Sequence, residues 1–80
     1  MFYTYILYSG KSNKHYYGST NNLNNRLIEH NKGKVKFTRS LRPWTLKYFE
    51  EYPTRSEAFR RELFFKSING RNWLKANEII

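Results

Sequence analysis

The sequence predicts an α+β fold over residues 1–80 as one domain: a three-stranded, mostly antiparallel sheet flanked by helices, in the order β-β-α-β-α-α. Three observations predict it. Short runs of aromatic and β-branched residues alternate with runs carrying apolar stripes at helical spacing. Capping residues open two of the helical runs. Gly, Asn and Pro punctuate the joints between runs. Three strands with helices packed on their faces make an α+β sheet domain, but the order of the strands does not follow from the pattern.

The first strand is Phe2 to Tyr8, whose near-continuous apolar and aromatic character suits a buried central position. Ser9 to Lys14 is a turn cluster, and His15 to Ser19 is a second strand antiparallel to the first. Thr20, or one of the asparagines after it, caps a helix whose apolar stripe is Leu23, Leu27 and Ile28. That helix runs to about Asn31, with Gly33 as its C-terminal glycine. Residues 32 to 44 form a basic loop with Phe37 among its cations, closed by Pro43. Thr45 to Tyr52 alternates loosely as a third strand, which Pro53 ends. Thr54-Arg55-Ser56-Glu57 is a capping-box pattern opening a helix to about Ile68, where Asn69 and Gly70 stop it. Arg71 to Ile80 makes a last helix anchored by Trp73 and Leu74.

Composition narrows the function. Eighty residues bury a small core, and the 19% aromatic content supplies much of it. The absence of cysteine excludes disulfides and thiolate zinc sites. Fifteen Lys and Arg against six Asp and Glu give a formal charge of +9. Nucleic acid or an anionic membrane surface is the usual partner of such a chain, and a merely solvated basic surface is the bland alternative. No apolar run approaches the ~20 residues of a membrane span, and no signal-peptide pattern opens the chain. A membrane role is therefore not expected, and the expected location is the cytoplasm.

Several residues look misplaced for a purely structural helix or strand. Leu23, Arg26, Leu27 and His30 share one helical face, so a guanidinium and an imidazole sit one turn apart. Two cation-capable groups together suit a phosphate. Otherwise both lie at the edge of the apolar stripe with their tips in water. In the next long helix, Ala58, Phe59, Leu63 and Phe65 define a buried side, and Glu62 falls inside that arc. A carboxylate there needs a cation, either Lys66 one turn on or a metal ion. Magnesium takes one or two carboxylates plus water and phosphate oxygens, so one acid suffices. Tyr5, Tyr16 and Tyr17 lie on the hairpin strands; adjacent Tyr16 and Tyr17 face opposite sides, and Gly18 leaves room for a close approach.

In their order and spacing these residues resemble the GIY-YIG nuclease superfamily. Tyr3-Thr4-Tyr5 stands as a degenerate first signature and Tyr16-Tyr17-Gly18 as the second. Arg26 and His30 follow at the family's spacing, and Ala58 to Glu62 matches its Ala-Leu-x-x-Glu pattern with Phe59 for Leu. The likeness spans nearly the whole chain and is greatest to small stand-alone bacterial members. Asn22, Leu23, Asn31, Phe37, Thr38, Arg42, Pro43 and Arg55 to Ala58 add to it. Two positions depart from the pattern: Tyr3 replaces a glycine, and Ser19 stands where a lysine is often found. Asn69, Asn72 and Asn77 are all candidates for a C-terminal asparagine of some members, and spacing does not choose among them.

The resemblance implies a metal-dependent endonuclease acting on nucleic acid, with DNA favoured over RNA and the choice between them left open, in repair or on structured substrates. It implies Mg²⁺ or Mn²⁺ on Glu62, Tyr16 as the base or positioner of water, and Arg26 stabilising the phosphorane. It further implies that His30 contacts the phosphate or passes protons and that Tyr5 orients Tyr16 or the water. Lys34, Lys36, Arg39 and Arg42 would grip the sugar-phosphate backbone without reading sequence. Together these make one expectation: two phenols, a guanidinium, an imidazole and an acid meet in one pocket. The rival reading is a non-catalytic nucleic-acid-binding module on the same fold. A third is a domain recruiting a protein partner that supplies specificity, which predicts an exposed apolar patch near Phe64, Phe65 and Trp73.

Overall fold

The computed structural model describes residues 1–80. Strand β1 (Phe2–Ser9) and strand β2 (Lys14–Thr20) form the hairpin, followed by helix α1 (Leu23–Asn31). A 3-10 turn (Arg39–Leu41) interrupts the basic loop before strand β3 (Trp44–Tyr52). Helices α2 (Arg55–Lys66) and α3 (Ile68–Ala76) complete the chain. The order is therefore β-β-α-β-α-α, and the sheet runs β2-β1-β3 with both pairings antiparallel.

The middle place of β1 explains its composition. Thr4, Tyr5, Ile6 and Leu7 are all buried, because both faces of the central strand are covered. Odd positions of β1 face α1: Tyr5 and Leu7 pack with Trp44, with Tyr16, Leu23, Leu27 and Leu41 around them. Ile6 faces the other way and packs with Tyr17, Phe65 and Leu74 under α2 and α3. Tyr16 and Tyr17 thus point to opposite faces, as strand alternation requires. Between Ile6 and Leu7 the pairing to β3 shifts register, so Lys47 is an extra residue in that ladder.

The helix starts were well marked. Asn22 caps α1 by accepting from the Asn25 N–H, and Thr54 caps α2 by accepting from the Glu57 N–H. The end of α2 differs from expectation. The break falls at Ser67, whose hydroxyl accepts from the Gly70 N–H and so starts α3 three residues early. Asn69 and Gly70 lie inside α3 instead of stopping α2. Gly70 is needed there because a Cβ would run into the Phe64 carbonyl.

The buried side of α2 also differs. Ala58, Glu62 and Phe65 face inward, whereas Phe59 and Leu63 are each about half exposed. The apolar patch expected around Phe64, Phe65 and Trp73 is not exposed. Phe65 is fully buried, and the Arg61 guanidinium lies over the Phe64, Phe65 and Trp73 rings at 4.8, 4.9 and 4.5 Å. Glu50 holds Arg61 in place at 2.8 Å and also accepts from the Tyr48 and Tyr52 hydroxyls. No helix is long and apolar enough to cross a membrane.

Candidate functional site

Four of the five candidate residues, Tyr5, Tyr16, Arg26 and His30, gather on the α1 side of the sheet toward the β2 edge, and Glu62 does not join them on that face. Tyr5 and Gly18 are register partners, so they share a face. A Cβ on Gly18 would lie 2.5 Å from the Tyr5 hydroxyl oxygen. Glycine is required here because the Tyr5 phenol crosses directly over the β2 backbone. The same register brings Tyr16 alongside: its ring lies 6.4 Å from Tyr5 and 4.9 Å from His30.

His30 is the hub. It is fully buried in the last turn of α1, and both ring nitrogens are engaged. Nε2 lies 3.0 Å from the Tyr5 hydroxyl and Nδ1 lies 2.8 Å from Thr38 Oγ1. Thr38 donates its own proton to the Val35 carbonyl at 3.3 Å, so it accepts from His30. That assigns the proton to Nδ1 and leaves Nε2 to accept from Tyr5. Burial first, and the Arg26 charge second, push the His30 pKa down from 6.5 to about 4, against the pull of Glu29. The ring is therefore neutral at pH 7.

Tyr5 is only 2% exposed, and burial pushes its pKa up to about 12, with Arg26 opposing and the charges of Tyr16 and Glu62 adding to it. It remains a phenol whose proton points into His30. Tyr16 is half-buried and its hydroxyl makes no hydrogen bond within the chain, so of the two phenols it is the one open to solvent. Arg26 sits one turn before His30, half-exposed, with Glu29 at 3.2 Å. Burial works against the charge on Arg26, yet Tyr5 and Glu29 outweigh it and hold its pKa above the ordinary value. An exposed i,i+3 pair of this kind is weak, so the guanidinium can turn to an anion at little cost.

Glu62 comes from the opposite face of the sheet. Its side chain is 12% exposed, and Lys66 donates to Oε2 at 2.7 Å. The carboxylate is close enough to Tyr5 for its charge to raise the phenol pKa. Tyr5, Tyr16 and His30 thus touch one another, Arg26 adjoins them, and Glu62 lies across the sheet, its charge bearing on Tyr5 alone. No group of three or more His, Asp or Glu side chains gathers anywhere in the chain. Glu62 has one oxygen free of protein partners, which fits a hard divalent cation completed by water and phosphate oxygens.

Of the four cations expected to grip a backbone, all are exposed, but they divide. Arg39 and Arg42 are pinned by their Nε donors to the Gly33 and Arg39 carbonyls at 2.9 and 2.7 Å. Lys34 and Lys36 are free of partners. Among the asparagines, Asn77 is occupied in ending α3, where its amide donates to the Trp73 carbonyl. Thr38, which is buried and bonds His30, and Asn31 entered the sequence reading only as part of the family likeness, with no role assigned to either. The Asn31 amide brackets Trp44, donating to its carbonyl at 2.9 Å and accepting its N–H at 2.7 Å. Apart from that likeness, Thr38 sits in a basic loop between Phe37 and Arg39, which reads as solvated.

The model of the GIY-YIG catalytic domain matches residues 1–75. A UPF0213 protein of Staphylococcus haemolyticus is 40% identical over 77 residues, covering 95% of this chain and 93% of its own. One from Bacillus licheniformis is 41% identical over 71 residues, covering 88% and 72%. The solution NMR structure of a UPF0213 protein from Bacillus halodurans is similar at a TM-score of 0.54 and 32% identity, covering 95% and 84%.

Proposed function

Because the chain belongs to the GIY-YIG family, a nuclease family whose substrates are nucleic acids, we propose that it is a divalent-metal-dependent endonuclease that hydrolyses phosphodiester bonds of DNA. The observation that carries the reading is the division of labour between two neighbouring phenols. The Tyr5 proton is committed to a buried, neutral His30, while Tyr16 beside it keeps a hydroxyl open to solvent.

In this mechanism Tyr16, after giving its own proton to solvent, orients the attacking water at the β2 edge and takes up that water's proton as the new P–O bond forms, while the leaving oxygen draws its proton from solvent as its bond to phosphorus breaks. Tyr5, with its own proton held by His30, packs beside Tyr16 and fixes where the Tyr16 ring and the water sit. Arg26 leaves Glu29 and donates to the phosphate oxygens as negative charge builds on them. His30 has no free ring nitrogen to offer a phosphate. It acts as a positioning residue that holds Tyr5 and ties the basic loop to α1 through Thr38. Glu62 would hold Mg²⁺ or Mn²⁺, which supplies Lewis-acid stabilisation of the phosphate charge when bound. Lys34, Lys36, Arg39 and Arg42 grip the phosphates of the strand without reading its sequence.

Glu62→Gln is the decisive variant. It keeps the shape of the side chain and removes the charge. We expect loss of Mg²⁺- or Mn²⁺-dependent nicking of plasmid DNA, with binding and thermal unfolding near those of the parent protein. Cleavage by Glu62→Gln at the parental rate would overturn the metal assignment. Silence of the well-folded parent across linear, flapped, branched and single-stranded substrates would favour a binding module instead.

A further inference from the structure

A shallow cleft of about 570 Å³ opens beside the C-terminal end of α1, between the β1–β2 turn and the 3-10 turn. It is lined by Lys11, Asn31, Arg39, Ser40, Arg42 and Pro43, so three of its six residues are cationic and none is acidic. None of the three cations has a carboxylate partner, since the ion pairs of the chain are Arg26–Glu29, Arg61–Glu50 and Lys66–Glu62. Unpaired cations normally splay apart into water. These are held together instead. The Arg39 and Arg42 guanidinium groups are fixed through Nε, which leaves their Nη groups free to donate. Lys11 Nζ is drawn over the loop by the Ser40 carbonyl at 3.3 Å. Gly33, at φ +81°, makes room for Arg42, whose Nη1 lies 2.8 Å from where a Cβ would stand.

The cleft is also tied to the fold. Ser9 Oγ donates to the Leu41 carbonyl at 2.7 Å, and Trp44 Nε1 donates to the Thr38 carbonyl at 2.8 Å. Thr38 bonds His30, and Asn31 brackets Trp44. The loop that carries the cations is therefore anchored to β1, α1 and β3 at once. A preorganised set of free N–H donors in a concave, acid-free wall recognises a phosphate group more strongly than scattered surface lysines do.

We propose that this cleft is a preformed subsite for one phosphate group of the substrate strand, held by Lys11, Arg39 and Arg42 at a fixed offset from Tyr5 and Tyr16. The identity of the ligand rests on the nucleic-acid reading above, but the binding of phosphate is measured without cleavage. The phosphate is either a terminal monoester or an internal diester. Inorganic phosphate titrated into the isotopically labelled full chain, at ionic strength held constant with chloride, should shift Lys11, Ser40, Arg39 and Arg42 signals saturably. Lys11→Gln, on an exposed turn, should weaken that binding about tenfold, as loss of one charge-assisted hydrogen bond does. Signals of Tyr5 and His30 should stay in place. In a second arm, tighter binding of a 5′-phosphorylated oligonucleotide than of its 5′-hydroxyl counterpart identifies a terminal phosphate. Equal binding with the same residues shifted identifies an internal one. Shifts that do not saturate, that are no larger at the cleft than at Lys34, Lys36 and Lys75, or that survive Lys11→Gln unchanged overturn the proposal. A chain that binds phosphate in the cleft yet cuts nothing would instead refute the nuclease reading alone.

Discussion

Replacing His30 with Gln should flatten the acid dependence of stability between pH 6.5 and pH 4. Buried against Tyr5 and Thr38, His30 refuses a proton until about pH 4, whereas in the unfolded chain it accepts one near 6.5. The folded pKa is the lower one, so as the pH falls the unfolded state takes up the proton first. Stability is full above 6.5, declines through the interval, and stops declining below about 4, when both states are protonated. At about 1.4 kcal/mol per pH unit, that interval amounts to about 3 kcal/mol. For a domain whose total stability is about 5–15 kcal/mol, the loss is large. Urea unfolding followed by circular dichroism at pH 7, 6, 5 and 4.5 measures it, with the midpoint of the parent moving by about 1–3 M over the range. His30→Gln should cost about 1–3 kcal/mol at pH 7, because one buried hydrogen bond is lost, but its midpoint should then change little with pH. His15 is also pushed down, by burial and then by Lys47, yet it is present in both proteins and cancels in the comparison. Parallel pH profiles for the two proteins would refute the buried, neutral His30.

Gly18→Ala should destabilise the fold by about 1–3 kcal/mol and abolish cleavage, since the new methyl displaces the Tyr5 phenol; thermal unfolding and nicking assays read the two effects. Replacing Lys34 and Lys36 with Ala should weaken DNA binding equally for all sequences and lower the salt slope by about 2, which fluorescence anisotropy across a salt series checks. Glu50→Ala should cost about 3 kcal/mol by leaving Arg61 unpaired over the aromatic cluster. Although burial alone would raise it, Arg61, Tyr48 and Tyr52 together hold the Glu50 pKa below 4.5, so its contribution is present above that value and fades as the pH falls further. Comparing acid unfolding of the Glu50→Ala variant and the parent below pH 4.5 tests the direction.

The elements were legible because local chemistry and final burial agree in them. The apolar run of β1 suits a strand covered on both faces, and Asn22 and Thr54 cap helices whatever lies around them. Disagreements arise where tertiary contacts decide. A helical wheel assigns Phe59 and Leu63 to the core, but the arc of α2 that meets the sheet carries Ala58, Glu62 and Phe65. Ser67 reads as an ordinary helical residue until its side chain folds onto the Gly70 N–H. The aromatic patch near Trp73 is buried beneath Arg61, a contact 12 positions from Trp73 that periodicity does not encode. For the site, the spacing of Arg26 and His30 predicted their shared face. It did not reveal that His30 would be fully buried with Thr38 on its second ring nitrogen, because a threonine in a basic loop carries no sign of burial.

The placement of Glu62 shows why the second tyrosine pair lies on an edge strand. Helix α2 packs on β2 and β1 from the face that carries Ile6 and Tyr17, while Tyr5 and Tyr16 lie on the other. In the middle of a sheet, a carboxylate and a phenol so placed would be separated by backbone and side chains of neighbouring strands. Here β2 is the edge strand, with no further strand beyond it. Gly18 removes the one side chain that would stand between the Tyr5 hydroxyl and that edge. Burial is the main cause of the raised Tyr5 pKa, and the charge of Glu62 adds the smallest of the upward pulls. A phosphate that is to meet Tyr16, Arg26 and Glu62 together must approach along the β2 edge. The Tyr16-Tyr17-Gly18 run supplies what that approach needs: one phenol turned to the α1 face, one ring sealing the core beneath α2, and an open crossing between them.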